Sequence, residues 1–228
     1  MIYITPIKDP VIKNNYETVY SPSEDTYLII DYFKKIISNE HFDDSHIRNV
    51  RRILDVGTGT GIIAIFLTLL SKKYPNFTAE IYASDILEDA IKCAKKNEEL
   101  NNIHKEIKFI LSDLFNEFSS SLKNSFDIMI FNPPYLPSSK IIEEGSHKAI
   151  DYSWDGGKKG FELILKFLDT APEFLKSKKT SKIYIVSSSR VNLEEFEYKI
   201  KKMGYLIQNI GKKHYFFEDI ILYRLHLC

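Results

Sequence analysis

The sequence predicts an α/β fold: a mostly parallel sheet of seven strands, helices on both faces, and the last strand antiparallel. From Arg52 onward, short apolar runs alternate with segments of helical period, and such alternation builds a doubly wound parallel sheet. The first run leads straight into a glycine-rich turn, and the next two are followed by Asp85 and Asp113. At 228 residues the chain fits one domain, since single α/β cores reach this size without splitting.

Arg52–Val56 is a short apolar run ending in glycines, as a buried parallel strand requires. Gly61–Leu70 is apolar all round and reads as an interior helix. Glu80–Ser84 is the second strand, and Glu88–Asn101, with Ile91, Ala94 and Leu100 between charges, is an amphipathic helix. Ile107–Leu111 and Phe126–Phe131 are strands three and four, the latter running into Asn132-Pro133. A helix over Phe161–Leu175 precedes strand five, Lys182–Ser187. Leu193, Phe196, Ile200 and Met203 recur at helical spacing, and Gly204 sits where a helix ends. Tyr205–Ile210 and Ile220–Leu227 are the last strands, joined by a charged turn-like segment, which makes them an antiparallel pair. Before this core, Ser21 reads as a helix cap, Pro22 as the first helical position and Glu24 as the closing residue of a capping box. Leu28, Ile29, Tyr32, Phe33, Ile36 and Ile37 give that helix one apolar face, and the polar stretch 38–51 reads as a loop.

Lysine plus arginine number 31, equal to aspartate plus glutamate. The zero net charge argues against a dedicated nucleic-acid binder, whose affinity rests on a basic face. Cys93 and Cys228 stand far apart, so neither a disulfide framework nor a zinc site is expected. The six histidines show no metal spacing, and His41 and His46 read as surface residues. Ser187–Ser189 lack a nucleophile elbow, which leaves hydrolase chemistry without support. No signal segment is apparent, and the longest apolar run, Ile62–Leu70, is too short for a bilayer. A cytoplasmic protein, not bound to a membrane, is the expectation.

Asp55-Val56-Gly57-Thr58-Gly59-Thr60-Gly61 lies between a strand and a helix. Glycines there let the backbone turn sharply and approach a ligand where a Cβ would collide. Nicotinamide and flavin enzymes use a related turn, but the spacing here is G-x-G-x-G and an aspartate precedes it. A carboxylate at that point repels a pyrophosphate and suits the ammonium of a methionine moiety. Asp85, followed by Ile86, can accept both hydroxyls of a ribose, or can simply cap the next helix. Asp113 with Leu114 offers an adenine ring a polar edge and an apolar face. Together these groups place a ligand at the carboxyl edge of the sheet. The pattern resembles the Rossmann-like methyltransferases that use S-adenosyl-L-methionine.

Asn132-Pro133-Pro134-Tyr135 follows strand four directly. Two prolines fix two φ angles and remove two donors, stiffening the loop. The side-chain oxygen of Asn132 and the carbonyl of Pro133 can then grip both hydrogens of an NH₂ group while Tyr135 stacks on its plane. A proline-stiffened strand exit would carry the same residues without a ligand. The tetrapeptide resembles that of methyltransferases acting on exocyclic amines and glutamine amides, a group spanning DNA adenine enzymes, several RNA enzymes and the HemK-type protein-glutamine enzymes.

Two further segments point within that group. Val19-Tyr20-Ser21-Pro22-Ser23-Glu24-Asp25-Thr26 resembles the VYxPxEDT segment of the archaeal and eukaryotic HemK branch. Trp154-Asp155-Gly156-Gly157-Lys158-Lys159-Gly160 resembles that branch's Trp-x-Gly-Gly-x-x-Gly. The resemblance runs from Val19 to Arg224, without the additional N-terminal helical domain of bacterial relatives. It implies methylation of the Gly-Gly-Gln glutamine of a class I translation release factor, in a heterodimer with a small zinc-binding activator subunit. It implies cofactor contacts from Thr26, Asp55, Gly57, Asp85, Asp113, Leu114 and Asn132, and Tyr20, Asp25, Thr58, Gly59, Gly61 and Ile86 beside them complete the candidate cofactor-binding set. Asn132, Pro133, Pro134 and Tyr135 become the catalytic clamp, and Gly156 and Gly157 join Asn132 and Tyr135 at the substrate. Glycines at 156, 157 and 160 would let a loop approach a glycine-rich peptide, or would simply lead into a helix. Glu143, Glu144 and Asp151 would meet a basic partner surface or stay solvated. Residues 1–50 would close over the cofactor, and 51–228 would form the core. A methyltransferase of RNA or DNA base amines stands as the rival, and a non-catalytic cofactor-binding subunit as the alternative of another class.

Overall fold

The structure is a computed structural model describing residues 7–137 and 156–228. Its centre is a seven-stranded sheet of order β5-β4-β3-β6-β7-β9-β8. These strands are β3 (Arg52–Val56), β4 (Glu80–Asp85), β5 (Ile107–Leu111), β6 (Ile128–Phe131), β7 (Lys182–Ser188), β8 (Tyr205–Tyr215) and β9 (Glu218–Leu227). The first five are parallel, and β9 runs antiparallel to both its neighbours, β7 and β8.

Strand side chains alternate between faces, and the core divides accordingly. Ile53, Ile81, Ile128, Ile130, Tyr184 and Leu222 face α1 (Glu24–Ile36) and α2 (Ile62–Lys73). Leu54, Tyr82, Met129, Phe131, Ile185 and Tyr223 face α4 (Glu162–Thr170) and α5 (Leu193–Lys202). Beside α2, α3 (Glu88–Leu100) packs on that helix and on β5. Covering both faces explains why β6 and β7 are buried along their whole length and read as continuous apolar runs. In α1, Ile29, Ile30 and Phe33 are fully buried, each contributing roughly 1.5–3 kcal/mol of transfer free energy.

Four expectations need correcting. The cap of α1 is Ser23, not Ser21, and it makes no side-chain cap bond. Glu24 pairs instead with Lys213 of β8, so no capping box forms. The stretch 38–51 is a small antiparallel ribbon, β1 (His41–Phe42) and β2 (Ser45–His46), followed by a 3-10 turn at Ile47–Asn49. It is clasped to the sheet by Asp43, which accepts from Tyr184 and Arg224, and by Asp44, which pairs with the buried Lys182. The helix expected to reach Leu175 ends at Thr170 and passes into a 3-10 turn, Ala171–Glu173, because Pro172 cannot continue it. The last two strands are longer than expected and form one hairpin with a bulge between Asn209 and Gly211.

Candidate active site

Sheet register brings the separated motifs together. Val56 pairs with Ser84 on one side and Phe131 on the other, so the residues leaving β3, β4 and β6 emerge side by side. These are Gly57, Asp85 and Asn132. Open α/β sheets bind ligands at such an edge, where the strand order reverses. A cavity of about 750 Å³ opens there, within the range of small-molecule sites.

The glycine loop forms one wall. Gly57, Gly59 and Gly61 have φ of 63°, 55° and 82°, a region costly to residues with a Cβ. A Cβ at Gly61 would also lie 2.8 Å from that of Ala94, so this glycine serves the packing of α2 on α3. Gly57, Thr58 and Gly59 line the cavity, whereas Asp55 and Gly61 are not among its lining residues. Asp55 lies beneath the loop, 1% exposed; its Oδ2 accepts from the Thr58 hydroxyl at 2.6 Å, and its Oδ1 is buried without a hydrogen-bond partner. Burial pushes its carboxyl up to about 7.

The cap of the next helix is Leu87, without a side-chain cap bond, and Asp85 stands before it at the end of β4. Asp85 lines the cavity, and its oxygens accept from Gly59 N and Leu87 N, each at 2.9 Å, bracing the loop and the start of α3. Burial raises its carboxyl above the usual range despite these bonds. Beyond it, Ile86 (51% exposed), Asp113 and Leu114 line the same wall. Asp113 is also paired with Lys166 of α4 at 3.1 Å.

The opposite end converges on one carboxylate. Asp25, in the first turn of α1, is 3% exposed. It accepts from Thr26 N at 2.6 Å, Tyr20 Oη at 3.2 Å, Asn132 Nδ2 at 3.2 Å and Tyr135 Oη at 3.4 Å. Asn132 Nδ2 also donates to Thr26 Oγ1 at 3.4 Å, and its Oδ1 is buried with no partner. Burial, then the Asp25 charge, pushes both tyrosine hydroxyls far above their ordinary value, so both stay protonated donors. Tyr20, Asp25, Thr26, Asn132, Pro133, Pro134 and Tyr135 all line the cavity.

Gly156 and Gly157 line it too, but their close contacts lie elsewhere than expected. Gly156 N donates to Leu136 O at 2.9 Å, and a Cβ there would sit 2.8 Å from Pro134 O. A Cβ at Gly160 would sit 2.6 Å from Tyr135 O. These two glycines buttress the Asn132–Tyr135 loop by close backbone packing. At Gly157, with φ of 96°, a Cβ would meet Glu162. Trp154, Asp155, Glu143, Glu144 and Asp151 lie outside the described residues.

Three charged lining residues were not anticipated from the sequence: Glu162, Lys166 and Glu218. Lys166 and Glu162 sit one turn apart on α4, a spacing that marks one helix face. Glu218 enters from β9, held at 3.3 Å by Arg190, and nothing local in its sequence announces it. Among the described residues no group of His, Cys, Asp or Glu could hold a metal ion, and no helix is long and apolar enough to cross a membrane.

A glycine loop and acidic strand ends on the carboxyl edge of such a sheet define the class of Rossmann-like methyltransferases. The chain belongs to the methyltransferase small domain family, whose model matches residues 39–214, and within it to the HemK type. It is an enzyme that uses S-adenosyl-L-methionine. A relative from Methanocaldococcus jannaschii, named as a putative protein N5-glutamine methyltransferase, is 31% identical over 204 residues, 90% of this chain and 89% of the relative. Methyltransferase HEMK2 of Mus musculus is 28% identical over 200 residues, 88% of this chain and 86% of the relative. Among solved structures, the E. cuniculi Mtq2–Trm112 complex, responsible for methylating the termination factor eRF1, matches with a TM-score of 0.63. That match is 20% identical and covers 92% of this chain and 99% of the other.

Proposed function

We propose that the protein methylates the side-chain amide nitrogen of the glutamine in the Gly-Gly-Gln motif of a class I release factor. The observation that carries this reading is the fixed amide of Asn132. Its NH₂ is committed to Asp25 and Thr26, so its unpartnered, buried Oδ1 is the acceptor left for an incoming N–H. A buried acceptor without a partner is costly, and a planar NH₂ supplies what it lacks. The names of the archaeal relative and of the eRF1-methylating complex support glutamine as the acceptor.

The lining fits the cofactor. In this reading Gly57, Thr58 and Gly59 receive its methionine end with the Asp55 carboxylate beneath them, Asp85 its ribose, and Asp113, Leu114 and Ile86 its adenine. S-adenosyl-L-methionine supplies an electrophilic methyl on a sulfonium. The protein's part is to hold the acceptor. An amide nitrogen is a poor nucleophile because its lone pair is delocalised into the carbonyl, and alignment of that lone pair is what the site contributes. Asn132 Oδ1 and the Pro133 carbonyl take the two hydrogens, and Tyr135, tethered by its hydroxyl to Asp25, lies along the amide plane. No base is required before transfer, since the proton leaves afterwards.

A small zinc-binding activator subunit completes the reading. Strand β5 is an open edge carrying Leu111 at 48% exposure beside Ile86, and such edges invite a pairing strand. A cytoplasmic location accords with a translation factor as the substrate in this reading. The test is transfer of labelled methyl to a release factor from the same organism, with and without the candidate subunit, beside a Gly-Gly-Ala variant and total RNA. Label on the factor that disappears in the Gly-Gly-Ala variant is expected. Label on RNA alone would overturn the reading in favour of base amines.

A further inference from the structure

The most exposed large apolar side chains described are Phe216 and Phe217, at 73% and 91%, side by side on the turn between β8 and β9. The turn has two residues, since Tyr215 pairs with Glu218 across it. At its first central position Phe216 holds φ of 51°, where hairpins of this length use glycine. A bulky residue kept in that conformation is strained. The fold alone would be served by a glycine at this position and a polar neighbour, yet the chain places two phenylalanines in water. Tyr215 packs against Phe216 with ring centroids 4.5 Å apart, giving the tip a defined aromatic face.

The tip is continuous with the acceptor end of the cavity. Glu218, the next residue after Phe217, lines it, and its charge acts on Tyr20 and Tyr135. The hairpin is fixed there by Lys213 on Glu24 of α1 and by Arg190 on Glu218. It also lies at the opposite edge of the sheet from β5, six strand spacings or about 29 Å away. A partner on the β5 edge and a protein on the hairpin tip therefore occupy different ends of the molecule.

We propose that the Tyr215–Phe217 tip docks the protein substrate, gripping an apolar surface of the domain that carries the target residue while the target side chain enters beside Glu218. Exposed aromatic clusters of this kind mark protein contacts. The inference rests on the proposed protein substrate and adds to it a recognition surface outside the cavity.

The experiment measures steady-state methylation of the whole release factor by the enzyme with its activator subunit, comparing wild type with Phe216→Gly, Phe217→Ser and the double variant. The double variant should raise KM for the factor by about ten-fold or more, with kcat and S-adenosylmethionine binding unchanged. Phe216→Gly should melt at the same or a higher temperature, which separates lost docking from lost folding. A wild-type KM for the double variant overturns the proposal, as does loss of the activator subunit, which would make the tip that subunit's seat. Absence of transfer to the factor by the wild-type enzyme would instead sink the glutamine reading itself and this docking proposal with it.

Discussion

The two ends of the cavity are built on different principles. At the glycine loop, the cavity-facing groups are backbone atoms and strand-end carboxylates, and parallel register brings them together. At the acceptor end, Tyr20 and Thr26 come from one stretch of chain and Asn132 and Tyr135 from another, and hydrogen bonds to Asp25 join them. The first end is distributed, so the loss of one contact leaves the rest in place. The second has a hub, and whatever moves the hub moves the chemistry.

The largest expected effect separates the ends by pH. Asp55 has its folded carboxyl raised to about 7 from 3.8. Between those values the folded state binds more protons than the unfolded one. The contribution of Asp55 to stability is therefore fully present below about pH 4, falls as pH rises toward 7 and is lost above 7; it is on the order of 4 kcal/mol for a shift of this size. Asp55→Asn should flatten that dependence in denaturant titrations of the free enzyme, and an unchanged slope would show that Asp55 ionises normally.

Next comes Asn132→Ala, which removes the acceptor without disturbing the glycine loop. Methylation should slow by about 10²–10³-fold, as when one preorganised hydrogen-bonding group is lost, while calorimetric affinity for S-adenosylmethionine changes little. A purely weakened cofactor affinity would move Asn132 to the other end. Asp25→Asn keeps the shape and removes the charge that orients four side-chain donors, from Tyr20, Thr26, Asn132 and Tyr135. Turnover should drop about 10²-fold through misplacement, and a wild-type kcat would dissolve the hub. The smallest effect is on the buttress. Gly160→Ala meets Tyr135 O and a φ of 84°, so it should cost about 1–3 kcal/mol in thermal stability and lower turnover along with it.

The same contrast governs what could be read from the chain. The strands, α2 and the glycine loop were legible because their signals are local: apolar runs of strand length, an all-round apolar helix, glycines where φ is positive. Asp85, Asp113 and the Asn132–Tyr135 loop were legible as strand ends. The hub was not, because Asp25 acquires its role only when α1 folds onto the sheet and the Asn132 amide meets it. Glu218 was hidden for a related reason, since a hairpin at the far end of the chain delivers it. The spacing of Gly156 and Gly160 announces tight packing without naming the partner, which is the backbone of Pro134 and Tyr135. Pro172 is a stop signal that the apolar pattern of 161–175 masked, and α4 ends before it at Thr170.

Under the proposed function, the acceptor end works through the link between Asp25 and Asn132. A double-mutant cycle on kcat, with Asp25→Asn and Asn132→Ala singly and combined, tests it most directly. If Asp25 acts by holding the Asn132 amide, the double variant will be about as slow as Asn132→Ala alone. If the two penalties instead multiply, the residues act independently and the hub is not what positions the clamp.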